Sequence, residues 1–157
     1  MQFPTTLLAL SALAISVSAT PRQYNTFSIA AGTGGTAQAE AEAAFPGSLS
    51  GLSAAALSDV NTEAHCAVLA EASFISAQSA AGASTAAGKA LAVGMIKNKV
   101  LKIYSTLQAV ESQIALQGSS ASLTAHQTDL QTKLAANIAI DKKNAGAAST
   151  AVSFTCP

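Results

Sequence analysis

The chain has 157 residues, half of them hydrophobic and only 10% charged, with eight cations balancing eight acids. That length allows one domain, and the balance of charge, with Arg22 the lone arginine, argues against a nucleic-acid-binding surface. The chain holds thirty-seven alanines, 4% aromatics and no tryptophan. Alanine has the highest helix propensity but buries little area, so helix axes must approach toward the ~8 Å lower limit of packing.

In chain order, residues 1–19 read as a targeting leader. An apolar run from Leu7 to Val17 ends in Val17-Ser18-Ala19, with the small residues a signal peptidase reads. The run is short of the ~20 residues needed to cross a bilayer. Cleavage after Ala19 would start the mature chain at Thr20. The final Ser153 to Pro157 is not a hydrophobic lipid-anchor tail, so the expected destination is outside the cell, with association with the cell wall as one form of it. There is no Asn-x-Ser/Thr sequon.

Residues 20–157 are expected to form a single alanine-rich helical domain, with a flexible lead (20–35) and a C-terminal tail (147–157). Tyr24, Phe27 and Ile29 alternate only partly, so the lead offers a short strand with no obvious partner. Ala31 to Gly35 reads as a turn and lacks the Gly-Lys-Ser/Thr ending of a phosphate loop. Thr36 is placed to cap a short helix that Phe45-Pro46-Gly47 ends, and residues 48–51 read as linker. Ser53 begins a longer helix to Ala80, with Leu57, Val60, Ala64, Ala67, Val68 and Ile75 as its expected buried stripe. Residues 81–87 read as a break.

The most regular stretch is Ala87 to Gly118. Val93, Ile96, Val100, Ile103, Leu107, Val110 and Ile114 alternate at spacings of three and four, a heptad seam on one side of a helix. Gly118 is a natural C-terminal cap. Ser120 or Ser122 caps the last helix, where Leu123, Gln127, Leu130, Leu134 and Ile138 form the matching stripe. So short a connection makes the last two helices an antiparallel hairpin. The fold class expected is all-α: a small bundle of three main helices plus one short N-terminal helix.

Charge is divided along the chain. Residues 20–80 hold Arg22 against five acids, and residues 81–157 hold seven lysines against three acids. The simplest arrangement sets an acidic helix beside a basic one within the same bundle. Cys66 and Cys156 form an even pair, read as a disulfide in an oxidising compartment. It would close a loop of about 90 residues, for which chain entropy gives roughly 4–5 kcal/mol as an upper guide. The tail would then fold back across the second helix and bring Phe154 with it.

Candidate chemistry is sparse. His65 and His126 are the two histidines, too few for a zinc site, so no metal and no cofactor is expected. The candidate carboxylate pairs are Glu40/Glu42 and Asp59/Glu63, of which the second is i,i+4 and shares a helix face; both read as solvated rather than catalytic. No nucleophile elbow is present, and the chain is not read as an enzyme. Lys89, Lys97, Lys99 and Lys102 are the nearest thing to an interaction patch.

The segment Gly94 to Ile103, GMIKNKVLKI, resembles a family of uncharacterised small secreted proteins of filamentous ascomycete fungi. Phe27 to Ala41, FSIAAGTGGTAQAEA, is similar to their mature N-terminus. The resemblance implies a small secreted protein or candidate effector and transfers no functional residue. The function expected is therefore non-enzymatic binding at the cell wall or a host interface by a monomer without a membrane span. Its partner would be a protein, a wall component or a lipid. The alternative is a carrier that holds a lipid, or coats a hydrophobic surface, between its helices.

Overall fold

The computed structural model describes residues 20–46 and 52–157. The expected leader (1–19) and the expected linker (48–51) lie outside them. The elements are α1 (Tyr24–Phe27), β1 (Gly32–Thr33), α2 (Ala37–Ala44), α3 (Ala54–Ala81), α4 (Ala86–Gln117), α5 (Ala121–Lys143) and β2 (Ala148–Ser149). The fold is an all-α bundle, as expected.

The three long helices begin and end where local chemistry puts them. The Ala56 amide donates to Ser53 Oγ at the start of α3, Gly88 N–H to Thr85 Oγ1 at the start of α4, and Leu123 N–H to Ser120 Oγ at the start of α5. Each bond satisfies one of the donors that a helix start leaves unpaired. Gly82 and Gly118 follow α3 and α4 with φ of 81° and 86°, a backbone region that glycine enters without strain. Both connections are short, so α3 and α5 run antiparallel to α4. The two outer helices pack chiefly on α4 and not on each other.

From Ile103 onward the heptad seam of α4 is covered by α5. Ile103, Leu107 and Val110 form one cluster with Leu130, and Ile114, Leu123 and Leu134 close its edge. The opposite side of α4, with Val100 from the earlier part of the seam, joins a second cluster with α3 and the N-terminal segments, in which Tyr24, Phe27, Phe45, Phe74 and Leu101 are buried. The buried stripe of α3 is rotated from the expected one. Leu57, Val60, Ala64 and Ala67 are buried, but the stripe continues through Ala70 and Phe74. Val68 is 42% exposed and Ile75 is 60% exposed. In a helix this rich in alanine, one phenylalanine outweighs two smaller aliphatic groups in setting the rotation.

The lead is the other departure. It makes one turn of helix and sinks Tyr24 and Phe27 into the core. The strand expected around Tyr24 to Ile29 does not form; a strand forms instead at Gly32–Thr33, within the stretch read as a turn, and pairs antiparallel with the tail, Gly32 with Ser149 and Thr33 with Ala148. The tail runs on across α4 and α3. Phe154 packs edge-on against Tyr24 with ring centroids 6.1 Å apart, and Cys156 bonds to Cys66 with Cα atoms 5.6 Å apart. The disulfide and the returning Phe154 are as the sequence led us to expect.

Lead and tail cross α4 at Gly94. A Cβ there would strike the Thr150 carbonyl oxygen and lie 3.1 Å from the Ala30 carbonyl oxygen. Helix propensity alone would make Gly94→Ala stabilising by about 1 kcal/mol. The backbone contact reverses the sign, and we expect a net loss of about 1–3 kcal/mol in denaturant unfolding. An unchanged or raised midpoint for Gly94→Ala would show that the crossing is looser than described.

Candidate functional site

The four lysines of α4 do not form one patch. Lys89 is exposed near the start of the helix. Lys97 is 0% exposed. Its ammonium donates to the carbonyl oxygens of Ala31 (2.8 Å) and Thr33 (3.1 Å) and lies 2.7 Å from Glu40 Oε2. A buried ammonium needs this full set of acceptors to offset lost hydration. Lys97 therefore belongs to the interior, tying the lead and α2 to α4. Lys99 and Lys102 are half-buried on another face, where Lys102 pairs with Glu71 at 2.7 Å. The pairs Lys97–Glu40 and Lys102–Glu71 join the basic and acidic parts of the chain.

Asn98, beside Lys97, is also fully buried. Its Oδ1 accepts from the Tyr24 hydroxyl at 2.7 Å, and its Nδ2 donates to the Ala67 carbonyl of α3 at 2.9 Å. Burial pushes the Tyr24 phenol up from 10.0 to about 12.

Two further interior contacts involve acids, Glu63, which the sequence reading placed on a solvated face, and Asp141. Glu63 is buried, not solvated. Arg22 donates to both of its carboxylate oxygens, with Nη2–Oε2 at 2.6 Å and Nε–Oε1 at 3.0 Å. The guanidinium lies 5.2 Å from the Phe27 ring centroid and 5.0 Å from that of Phe45. It also donates to the Ala44 carbonyl at 3.1 Å, at the end of α2. A charge-assisted fork and two aromatic faces hold one cation. Its signal in the sequence was a single arginine facing five acids. Asp141 of α5 is the second case. Its Oδ2 accepts from the Ala37 amide at 2.9 Å and so caps α2 from another helix. Thr36, the expected cap, makes no cap bond; its hydroxyl bonds Glu40 and the Thr33 carbonyl instead.

Grooves open to a partner lie between the helices, and one of about 500 Å³ lies where the tail residues Ala151, Val152 and Ser153 meet α3 and Leu91 of α4. Of those between the helices, one of about 410 Å³ is lined by Val68 of α3, by Lys99, Lys102, Ile103 and Thr106 of α4, and by Leu130, Lys133 and Asn137 of α5. It brings Lys99 and Lys102 together and adds Lys133, which sequence reading did not include. A second groove of about 720 Å³ runs between α3 and the end of α4, with His65, Gln113 and Leu116 among its lining. His65 and His126 join no group of metal-ligating side chains among the described residues.

Because Tyr24 is raised in the fold, its contribution to stability is fully present below pH 10 and is lost as pH rises through about 12. The loss should be on the order of 2–3 kcal/mol. Stability curves of the native chain and Tyr24→Phe, measured against pH, should converge over that window. Parallel curves would contradict a buried phenol on Asn98.

Among the described residues, no helix is long and apolar enough to cross a membrane. No curated protein and no solved structure matches the chain. Residues 19–153 match one family, described as a domain of unknown function, DUF8454. That span takes in the lead, all five helices and the tail crossing, and the chain belongs to the DUF8454 family.

Proposed function

We propose that this is a secreted, non-enzymatic fungal protein that acts by binding at the cell wall or a host interface, in the manner of a small effector. The observation that carries the reading is the employment of the chain's chemistry-bearing residues in its own architecture. Lys97, Asn98, Glu63, Arg22 and Asp141 each hold one part of the chain to another. Such groups rigidify a surface and do not turn over a substrate. The Cys66–Cys156 bond fits an oxidising compartment, and the segment Gly94 to Ile103 supports the fungal origin.

A lipid carrier is the weaker reading. A carrier must take an acyl chain out of water, which calls for an enclosed apolar cavity. The two interhelical grooves described above lie at the surface, with polar groups in both walls.

The test uses protein recovered from culture medium of its native host. Non-reducing mass spectrometry should give a chain starting at Thr20 with no free thiol. The immobilised protein should then capture a saturable partner from wall or host extract. A chain retained inside the cell, or two free thiols, would overturn secretion. A melting temperature raised by fatty acid or sterol, with nothing captured, would favour the carrier instead.

A further inference from the structure

We infer that the trough along α4, between α3 and α5, is a docking site for an acidic amphipathic helix of a partner protein. The inference rests on the binding-protein reading above and names the surface and the partner's chemistry. Because α3 and α5 pack on α4 and not chiefly on each other, the three form a layer with α4 at its centre. One side of α4 is covered by the lead, α2 and the tail. On the other side, the two interhelical grooves lie along a single face of α4. Lys99, Lys102 and Thr106 line the first, and Gln113 and Gln117 line the second. Their spacing of three, four, seven and four residues keeps them on one side of a helix. From Lys99 to Gln117 this face is about 27 Å long at 1.5 Å per residue. A fourth helix laid there would complete a four-helix bundle.

The lining indicates which helix. Lys99, Lys102, Lys133 and His65 contribute to the walls, and among the described residues no acid lines either groove. Lys102 and Lys133 reach Glu71 and Asp129 outside the lining, and Lys99 has no acidic partner among the described residues. The charged groups lining the trough are therefore all basic, with Lys99 the one lysine not already paired to an acid among the described residues, and a partner's carboxylates would complement them. Its apolar sites are separate sockets: Val68, Ile103 and Leu130 at one end, Leu57 and Leu116 at the other. Val68 and Leu116 are two of the large hydrophobic residues left exposed. Sockets set apart by polar side chains suit the periodic anchors of an amphipathic helix. An acyl chain would need a continuous apolar lining.

The probe is a synthetic peptide of about three heptads with Leu at a and d and Glu at e and g. Its counterpart carries Lys at e and g. Calorimetry should show saturable binding of the acidic peptide to the full chain, with the lysine peptide at least about tenfold weaker. Amide shifts should cluster at Val68, Thr106, Gln113 and Leu130. Lys99→Glu combined with Lys133→Glu, at positions outside the buried core, should invert the preference. Val68→Ala, at a half-open position, should weaken the acidic peptide without lowering the melting temperature. Equal affinity for both peptides, no saturation, shifts on the tail side, or a dimer of this chain occupying the trough would each overturn the proposal. The two readings fail separately. A natural partner still captured by the charge-reversed chain would remove the trough and leave the binding protein standing. No partner captured by the native chain would remove the latter.

Discussion

Lys97 and Asn98 are polar, adjacent and fully buried on the central helix, and every one of their hydrogen-bonding groups must be met inside the protein. Adjacent residues on a helix point about 100° apart, so the two reach different elements. Lys97 gathers the lead through the carbonyl groups of Ala31 and Thr33, and α2 through Glu40. Asn98 gathers α1 through Tyr24 and α3 through the Ala67 carbonyl. Gly94, one turn earlier, leaves room for the tail to pass. The lead, α2, α3 and the tail are thus positioned by three residues of α4, Gly94, Lys97 and Asn98. Unpaired, these groups would each cost the fold several kcal/mol. That dependence makes the arrangement specific as well as stable.

The remaining contacts lock what this node positions. A bundle built on alanine buries modest area, and the disulfide compensates by closing a loop of 90 residues between α3 and the tail. The tail in turn presses Phe154 against Tyr24, and Asn25 accepts from the Phe154 amide at 3.1 Å. Arg22 joins α3 to the end of α2 between two phenylalanine rings, while Asp141 joins α5 to the start of α2. A helix of eight residues, too short to be stable alone, is therefore held at both ends by charges from elsewhere in the chain.

Much of this could be read from the sequence wherever the signal was local. Ser53, Ser120 and Gly118 marked helix ends because caps act within three or four residues. The seam of α4 was visible because its aliphatic residues repeat without interruption, and two cysteines left one pairing. The uneven division of charge anticipated Lys97–Glu40 and Lys102–Glu71. What was hidden was non-local. A lysine is ordinarily exposed, and nothing near Lys97 announces acceptors on the backbone 66 and 64 residues away. Asp141 caps a helix 104 residues earlier in the chain. Glu63 had the spacing of a surface pair with Asp59, and Arg22, 41 residues away, draws it inside. The rotation of α3 escaped because alanine on every side leaves little contrast between faces. The groove residue Lys133 escaped because it comes from a different helix than Lys99 and Lys102.

The segment Gly94 to Ile103 carries three of the four lysines that offer the nearest thing to an interaction patch in the sequence. Within the fold, its glycine, first lysine and asparagine face inward and hold the chain together, while Lys99 and Lys102 remain on the open trough. The division of labour follows from helix geometry: residues two and five positions beyond Lys97 leave its face. The measurement that tests this account most directly is hydrogen exchange on Lys97→Met, compared with the native chain. Methionine fills similar space and removes only the ammonium. The account predicts that amides of the lead and β1 lose most of their protection while the α4–α5 hairpin keeps its own. Unchanged protection in the lead would contradict the claim that Lys97 anchors it.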